Sequence, residues 1–146
     1  MNNRRGFTLI ELVVVILILG ILAGVAAPKM FSASAEATDN GLRHTLSVVR
    51  DAIELYSAKN GGASPRFDTV PNFKEDLKPY LRGNFPTCPV GPTAAQDADV
   101  AFATGTTTTG DAAPTVGWKY NSDTREFICN NSNATASVST VTYDQL

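Results

Sequence analysis

Glu11 is the one charged residue between Arg5 and Lys29, and it lies at the head of the apolar run LVVVILILGILAGVAA. A carboxylate at bilayer depth costs about 2.5–3.5 kcal/mol on insertion scales, so an acid placed there needs compensation. A modest role is available, because an acidic side chain suits the first turn of a helix, where the backbone dipole is positive. Cys88 and Cys129 form the other chemically competent pair. With a basic and then apolar export-type N-terminus, an even cysteine count points to one disulfide in an oxidising compartment; two buried thiols are the alternative. The remaining candidates offer less. His44 is the only histidine, and one histidine cannot build a metal site or a triad. Serine and threonine are plentiful, but no nucleophile–base constellation accompanies them. Asp97 and Asp99 suggest calcium only weakly. Asn130-Asn131-Ser132 and Asn133-Ala134-Thr135 match the N-glycosylation pattern, which is short enough to arise by chance. Trp118 and Tyr120 read as packing in a hairpin rather than as a ligand platform. The expectation is a protein that is not an enzyme and has no cofactor.

A long helix must position Glu11. From Phe7 to about Asn60 the pattern is helical, apolar on all sides at first and amphipathic after Lys29. Leu42, Leu46, Val49, Ile53 and Tyr56 fall on one face. Asp39–Arg43 and Arg50–Glu54 read as pairs four apart on other faces, worth a few tenths of a kcal/mol each. Asn60-Gly61-Gly62 is a stop signal. Gly20 and Gly24 give a small-residue spacing that allows close helix approach in lipid. Pro28 should kink the helix or locally unwind it. Beyond Gly62 the chain is turn-rich. A short helix capped by Asn72 is expected over 72–81, and an ordered loop over 86–92 around Cys88. An exposed mobile loop is expected over 101–114. A hairpin is expected from 117–120 and 125–129, with a last strand over 138–143.

With 146 residues the chain suits one domain plus one extra element. Its 12 basic and 14 acidic residues give −2; without Arg4 and Arg5 the remainder holds 10 and 14, or −4. A mildly acidic body argues against nucleic-acid binding by bulk charge. The uncharged stretch from Leu12 to Pro28 is long enough to cross most of a bilayer, and Arg4 and Arg5 ahead of it orient the N-terminus to the cytoplasm. An ordinary secretory signal is the rival, since Ala23-Gly24-Val25-Ala26-Ala27 is small enough to be cut, but such a signal would avoid Glu11.

The segment RRGFTLIELVVVILILGILAGVAAP resembles the processing site and first helix of type IV pilins and of the pseudopilins of type II secretion systems. The resemblance covers Arg4 to about Pro28. It implies a leader of residues 1–6, a membrane and filament-core helix over 7–28, and a periplasmic body over 29–146. It also implies cleavage between Gly6 and Phe7 by a prepilin peptidase, methylation of the new Phe7 amine, and pairing of Glu11 with that amine on a neighbouring copy. The implied partners are other copies of the chain, other pilin-like subunits, the prepilin peptidase, an inner-membrane assembly platform with its ATPase, and the inner membrane. The major pseudopilins carry an acidic calcium loop near the C-terminus; this chain ends VSTVTYDQL, so no metal is expected. The fold expected is α+β, a long bent helix packed on a small antiparallel sheet. The expected role is that of a filament subunit, in a type II pseudopilus first and in a type IV pilus as the alternative. A membrane-anchored binding domain that never polymerises is the rival from another class.

Overall fold

The computed structural model describes residues 7–91 and 98–146. Gly6 with the rest of the leader, and Asp97 with Pro92, lie outside the described residues. Helix α1 runs Leu9–Lys59, 51 residues, or about 75 Å at 1.5 Å per residue. It passes through Pro28 without interruption, so the local unwinding expected there does not occur. The Ser32 hydroxyl donates to the Pro28 carbonyl at 3.2 Å. At the other end Asn60 caps α1, its side-chain amide donating to the Tyr56 carbonyl at 2.8 Å.

Only the distal part of α1 is covered by the body. Its inward face is Leu42, Leu46, Val49 and Ile53, all buried, as the apolar periodicity predicts. Against it pack α2 (Val70–Leu77), which a 3-10 turn over Lys78–Tyr80 extends, and a three-stranded sheet. Phe73 of α2 is the hub of an aromatic cluster, with ring centroids 4.9 Å from Tyr120 and 5.7 Å from Phe102.

The strands are β1 (Val100–Ala103), β2 (Trp118–Asn121) and β3 (Phe127–Cys129), in that order across the sheet. β2 and β3 form the expected antiparallel hairpin, with Trp118 opposite Cys129. β1 pairs parallel to β2, Val100 opposite Trp118, so the sheet is mixed rather than antiparallel. The start of the expected 101–114 loop is therefore strand. Val100 and Phe102 supply strand-forming, buriable side chains, and the Thr- and Gly-rich residues that follow mask them.

Four other local expectations are corrected. α2 begins at Val70 and is capped by Thr69, whose hydroxyl accepts from the Asn72 amide, while the Asn72 side chain donates to Asp68. No strand forms over 138–143; the backbone there closes on itself, with Thr135 N–H donating to Val141 and a 3-10 turn at Tyr143–Gln145. Asp39 is 3 % exposed and accepts from the backbone N–H and hydroxyl of Ser137, instead of pairing with Arg43. Arg50 donates to the carbonyls of Phe127 (2.9 Å) and Leu146 (3.3 Å) rather than pairing with Glu54. In these last two cases a long-range partner wins over a surface pair worth little.

The β2–β3 turn adopts an uncommon conformation with a clear purpose. Arg125 has φ +60, in the left-handed region that favours glycine. Its guanidinium reaches the end of α1, donating to the Ser57 hydroxyl at 3.0 Å and to the Gly62 carbonyl. Arg125→Ala keeps the backbone strain and loses the clamp, so it should destabilise by about 1 kcal/mol, discounted for exposure. Arg125→Gly loses the same clamp but relieves strain of a similar size, so it should lie closer to the parent. Urea unfolding checks the order; an Ala variant as stable as the parent would show that the clamp contributes nothing.

Candidate functional site

The N-terminal end of α1 is built from Phe7, Thr8 and Glu11. Thr8 caps the helix, and its hydroxyl accepts from the Glu11 amide at 3.3 Å. Glu11 reaches back, its Oε2 accepting from the Thr8 backbone N–H (2.8 Å) and hydroxyl (2.7 Å). This reciprocal capping box satisfies two donors that a helix start leaves open. The helix-start role of Glu11 is thus present within one chain. It uses one carboxylate oxygen; Oε1 has no hydrogen-bond partner among the described residues.

From Leu9 to Val25 the large apolar side chains are all 44–81 % exposed. None of the most apolar stretch of the helix is buried. Leu9 to Pro28 spans about 30 Å, the thickness of a hydrocarbon core. The helix is long and apolar enough to cross a membrane, and Lys29 marks where the charge-free stretch stops. Burial against the body begins only at Asp39. Gly20 and Gly24 lie on this bare segment with open space where a Cβ would stand.

The two cysteines come together. Cys88 and Cys129 are both fully buried, with sulfurs 3.5 Å apart in hydrogen-bond contact. That contact and burial push the Cys129 thiol well above its ordinary range. The other candidates are structural. His44 is exposed on α1. Asp99 pairs with Lys74 at 3.0 Å. Among the described residues no group of three or more His, Cys, Asp or Glu could hold a metal ion. Trp118 and Tyr120 are core residues, Trp118 donating its ring N–H to the Pro86 carbonyl at 3.0 Å. Asn130 and Asn131 are buried, so the first N-glycosylation match is closed to modification in the folded state. A groove of about 540 Å³ lies between α1 and the β2–β3 turn, but its two guanidiniums, Arg50 and Arg125, are committed to carbonyl and hydroxyl oxygens.

One network is not visible from local patterns. Lys119 donates to Asp111 Oδ1 (2.7 Å) and to the Thr109 carbonyl (2.9 Å), while Asp111 Oδ2 accepts from the Asn130 side chain. The hydrogen bond from Lys119 holds the Asp111 carboxyl below the usual range. Gly110 beside it permits a close approach: a Cβ would stand 2.7 Å from the Asn131 backbone. The one available signal was alternation, since a lysine between Trp118 and Tyr120 on a strand must face away from the core.

Residues 1–27 match the prokaryotic N-terminal methylation motif. The chain is 35 % identical over 60 residues to the type II secretion system core protein G of Klebsiella pneumoniae, covering 41 % of this chain and 43 % of that one. It is 41 % identical over 61 residues to fimbrial protein EcpB of Eikenella corrodens, covering 42 % and 38 %. It is 40 % identical over 60 residues to the type IV wide pilus major component PilA4 of Thermus thermophilus, covering 41 % and 46 %. The chain thus spans under half the length of each of these relatives. No solved structure matches it at a significant level. Over its N-terminal segment, the chain is similar to type IV pilins and to the pseudopilins of type II secretion systems.

Proposed function

We propose that the chain is a structural subunit of a pilus-like filament, held in the inner membrane by residues 7–28 with its body in the periplasm, and polymerised through that helix. The observation that carries this reading is the bare apolar helix with a single carboxylate, Glu11, at its tip. Such a surface is stable only in lipid or against other copies of itself. A prepilin peptidase cuts between Gly6 and Phe7 and methylates the Phe7 amine, and an assembly platform with its ATPase extracts the subunit. The finer reading is a type II secretion pseudopilus, supported by the similarity to core protein G of Klebsiella pneumoniae and of Pseudomonas aeruginosa. A type IV pilus is the second reading, supported by the comparable similarity to EcpB and PilA4.

Mass spectrometry of the mature chain should find an N-terminal methylated Phe7. An intact Met1, or a start at Ala27 or Pro28, would reject the reading. Gly6→Ala should slow cleavage, because a Cβ would crowd a site suited to glycine. Deleting the gene separates the two machines: a pseudopilus subunit costs the cell its exported enzymes, a pilus subunit its surface fibres.

A further inference from the structure

The chain contains two Asn-Gly steps, Asn40-Gly41 and Asn60-Gly61, in opposite backbone settings. All four residues are exposed. Asn40-Gly41 lies within α1, where the Gly41 N–H belongs to the helical ladder. Asn60-Gly61 lies just past the helix end. Gly61 and Gly62 have φ +65 and +90, and the Gly61 N–H donates to nothing among the described residues. Apart from its two chain neighbours, no described residue has an atom within 4 Å of where a Gly61 Cβ would be.

We infer that Asn60 is a site of spontaneous deamidation, and that Asn40, with the same neighbour, is protected by its helix. The Gly61 backbone nitrogen gives its proton to base and attacks Cγ of Asn60. The N–Cγ bond forms, the Cγ–Nδ2 bond breaks, and Nδ2 leaves as ammonia, having gained a proton. Water then opens the cyclic imide at either carbonyl, giving aspartate or isoaspartate. The net change is one water consumed and one ammonia released. Gly61 suits the attack because it carries no Cβ to crowd it and its N–H has no hydrogen bond to give up. The restraints to be broken are the Asn60 Nδ2 bond to the Tyr56 carbonyl and the turn bonds Gly62 N–H to Ser57 and Ala63 N–H to Asn60, all at the fraying end of the helix. At Gly41 the helix itself must open first, which is rarer in a helix interior than at its end.

The product disturbs the junction it forms in. A carboxylate cannot donate to the Tyr56 carbonyl, and it adds negative charge at the negative end of the helix dipole. The isoaspartyl form also lengthens the main chain by one methylene next to the Gly62 carbonyl that Arg125 grips.

The test is ageing of the full chain in detergent micelles at mildly alkaline pH, followed by peptide mapping, with a denatured sample in parallel. Asn60 should convert about tenfold faster than Asn40 or more, a ratio that a 1.4 kcal/mol difference in opening would give. Both should convert in the denatured sample. The aged parent should lose thermal stability, whereas Asn60→Ser should hold its midpoint over the same period. An Asn60 that persists while the denatured control converts would overturn the proposal. So would equal native rates at the two sites, or a midpoint that falls as fast in the Ser variant.

Discussion

Glu11→Gln is expected to leave the protein inserted, cleaved and folded, and to remove its filaments. The structure makes this substitution unusually selective. Glutamine serves a capping box as well as glutamate does, so the bonds between position 11 and Thr8 can persist. What disappears is the charge. Under the proposed function, cleavage after Gly6 would create an amine on Phe7, one helical turn from Glu11. In a stack of apolar helices that amine would need a counter-ion, and Oε1, without a hydrogen-bond partner among the described residues, can serve a neighbouring copy. A lone charge at bilayer depth costs about 2.5–3.5 kcal/mol, roughly a hundredfold in association per subunit added. Thr8→Ala is the complementary variant. It gives up about 1 kcal/mol of capping and keeps the carboxylate, so filaments should persist. Co-expression with the parent sharpens the test: each Gln copy entering a stack strands one amine, so mixed filaments should be rarer or shorter. Sheared-fraction yield and electron microscopy read both outcomes. If the Gln variant polymerises like the parent while Thr8→Ala does not, Glu11 acts only as a helix-start residue and the pairing mechanism is wrong.

The parts of the molecule that were legible beforehand share a cause. The long helix, its buried face, its Asn60-Gly61 stop and the β2–β3 hairpin are all specified by residues close together in the chain, through periodicity or turn chemistry. The misread parts depend on partners far away. Asp39 and Arg50 fit surface pairing rules, yet each bonds across 77 to 98 residues of sequence, to Ser137, Phe127 and Leu146. β1 owes its existence to a parallel partner, β2, across a 14-residue connection without a helix, for which no local signal exists. The site divides in the same way. Glu11 is conspicuous as the one charge in an apolar run, whereas its bond to Thr8 is legible only through the Thr-x-x-Glu spacing of a capping box. Arg125 in a glycine conformation was illegible, because its reason is the end of a helix more than 60 residues earlier.

Oxidation of the Cys88–Cys129 pair is expected to change stability more than any surface substitution. The sulfurs are already adjacent at 3.5 Å, and each cysteine is placed by other interactions. Cys88 follows Pro86, whose carbonyl holds the Trp118 ring N–H, and Cys129 sits opposite Trp118 on β3. Bond formation removes two electrons and two protons, which a thiol–disulfide oxidant of the proposed periplasmic location would take up. Both sulfurs are fully buried and out of an oxidant's reach in the folded chain, so the bond should form during folding rather than after it. Closing a loop of 41 residues stabilises by about 4 kcal/mol in the chain-entropy model. For a body of this size that shifts the thermal midpoint by on the order of 15 °C. Non-reducing peptide mapping should recover Cys88 linked to Cys129 from exported protein. The double Cys→Ala variant should melt with or below the reduced parent, and adding reductant should not change it. Two separately alkylated thiols in exported protein would remove the linkage. A linked chain that melts with its reduced form would keep the bond but reject its role as the staple of the domain.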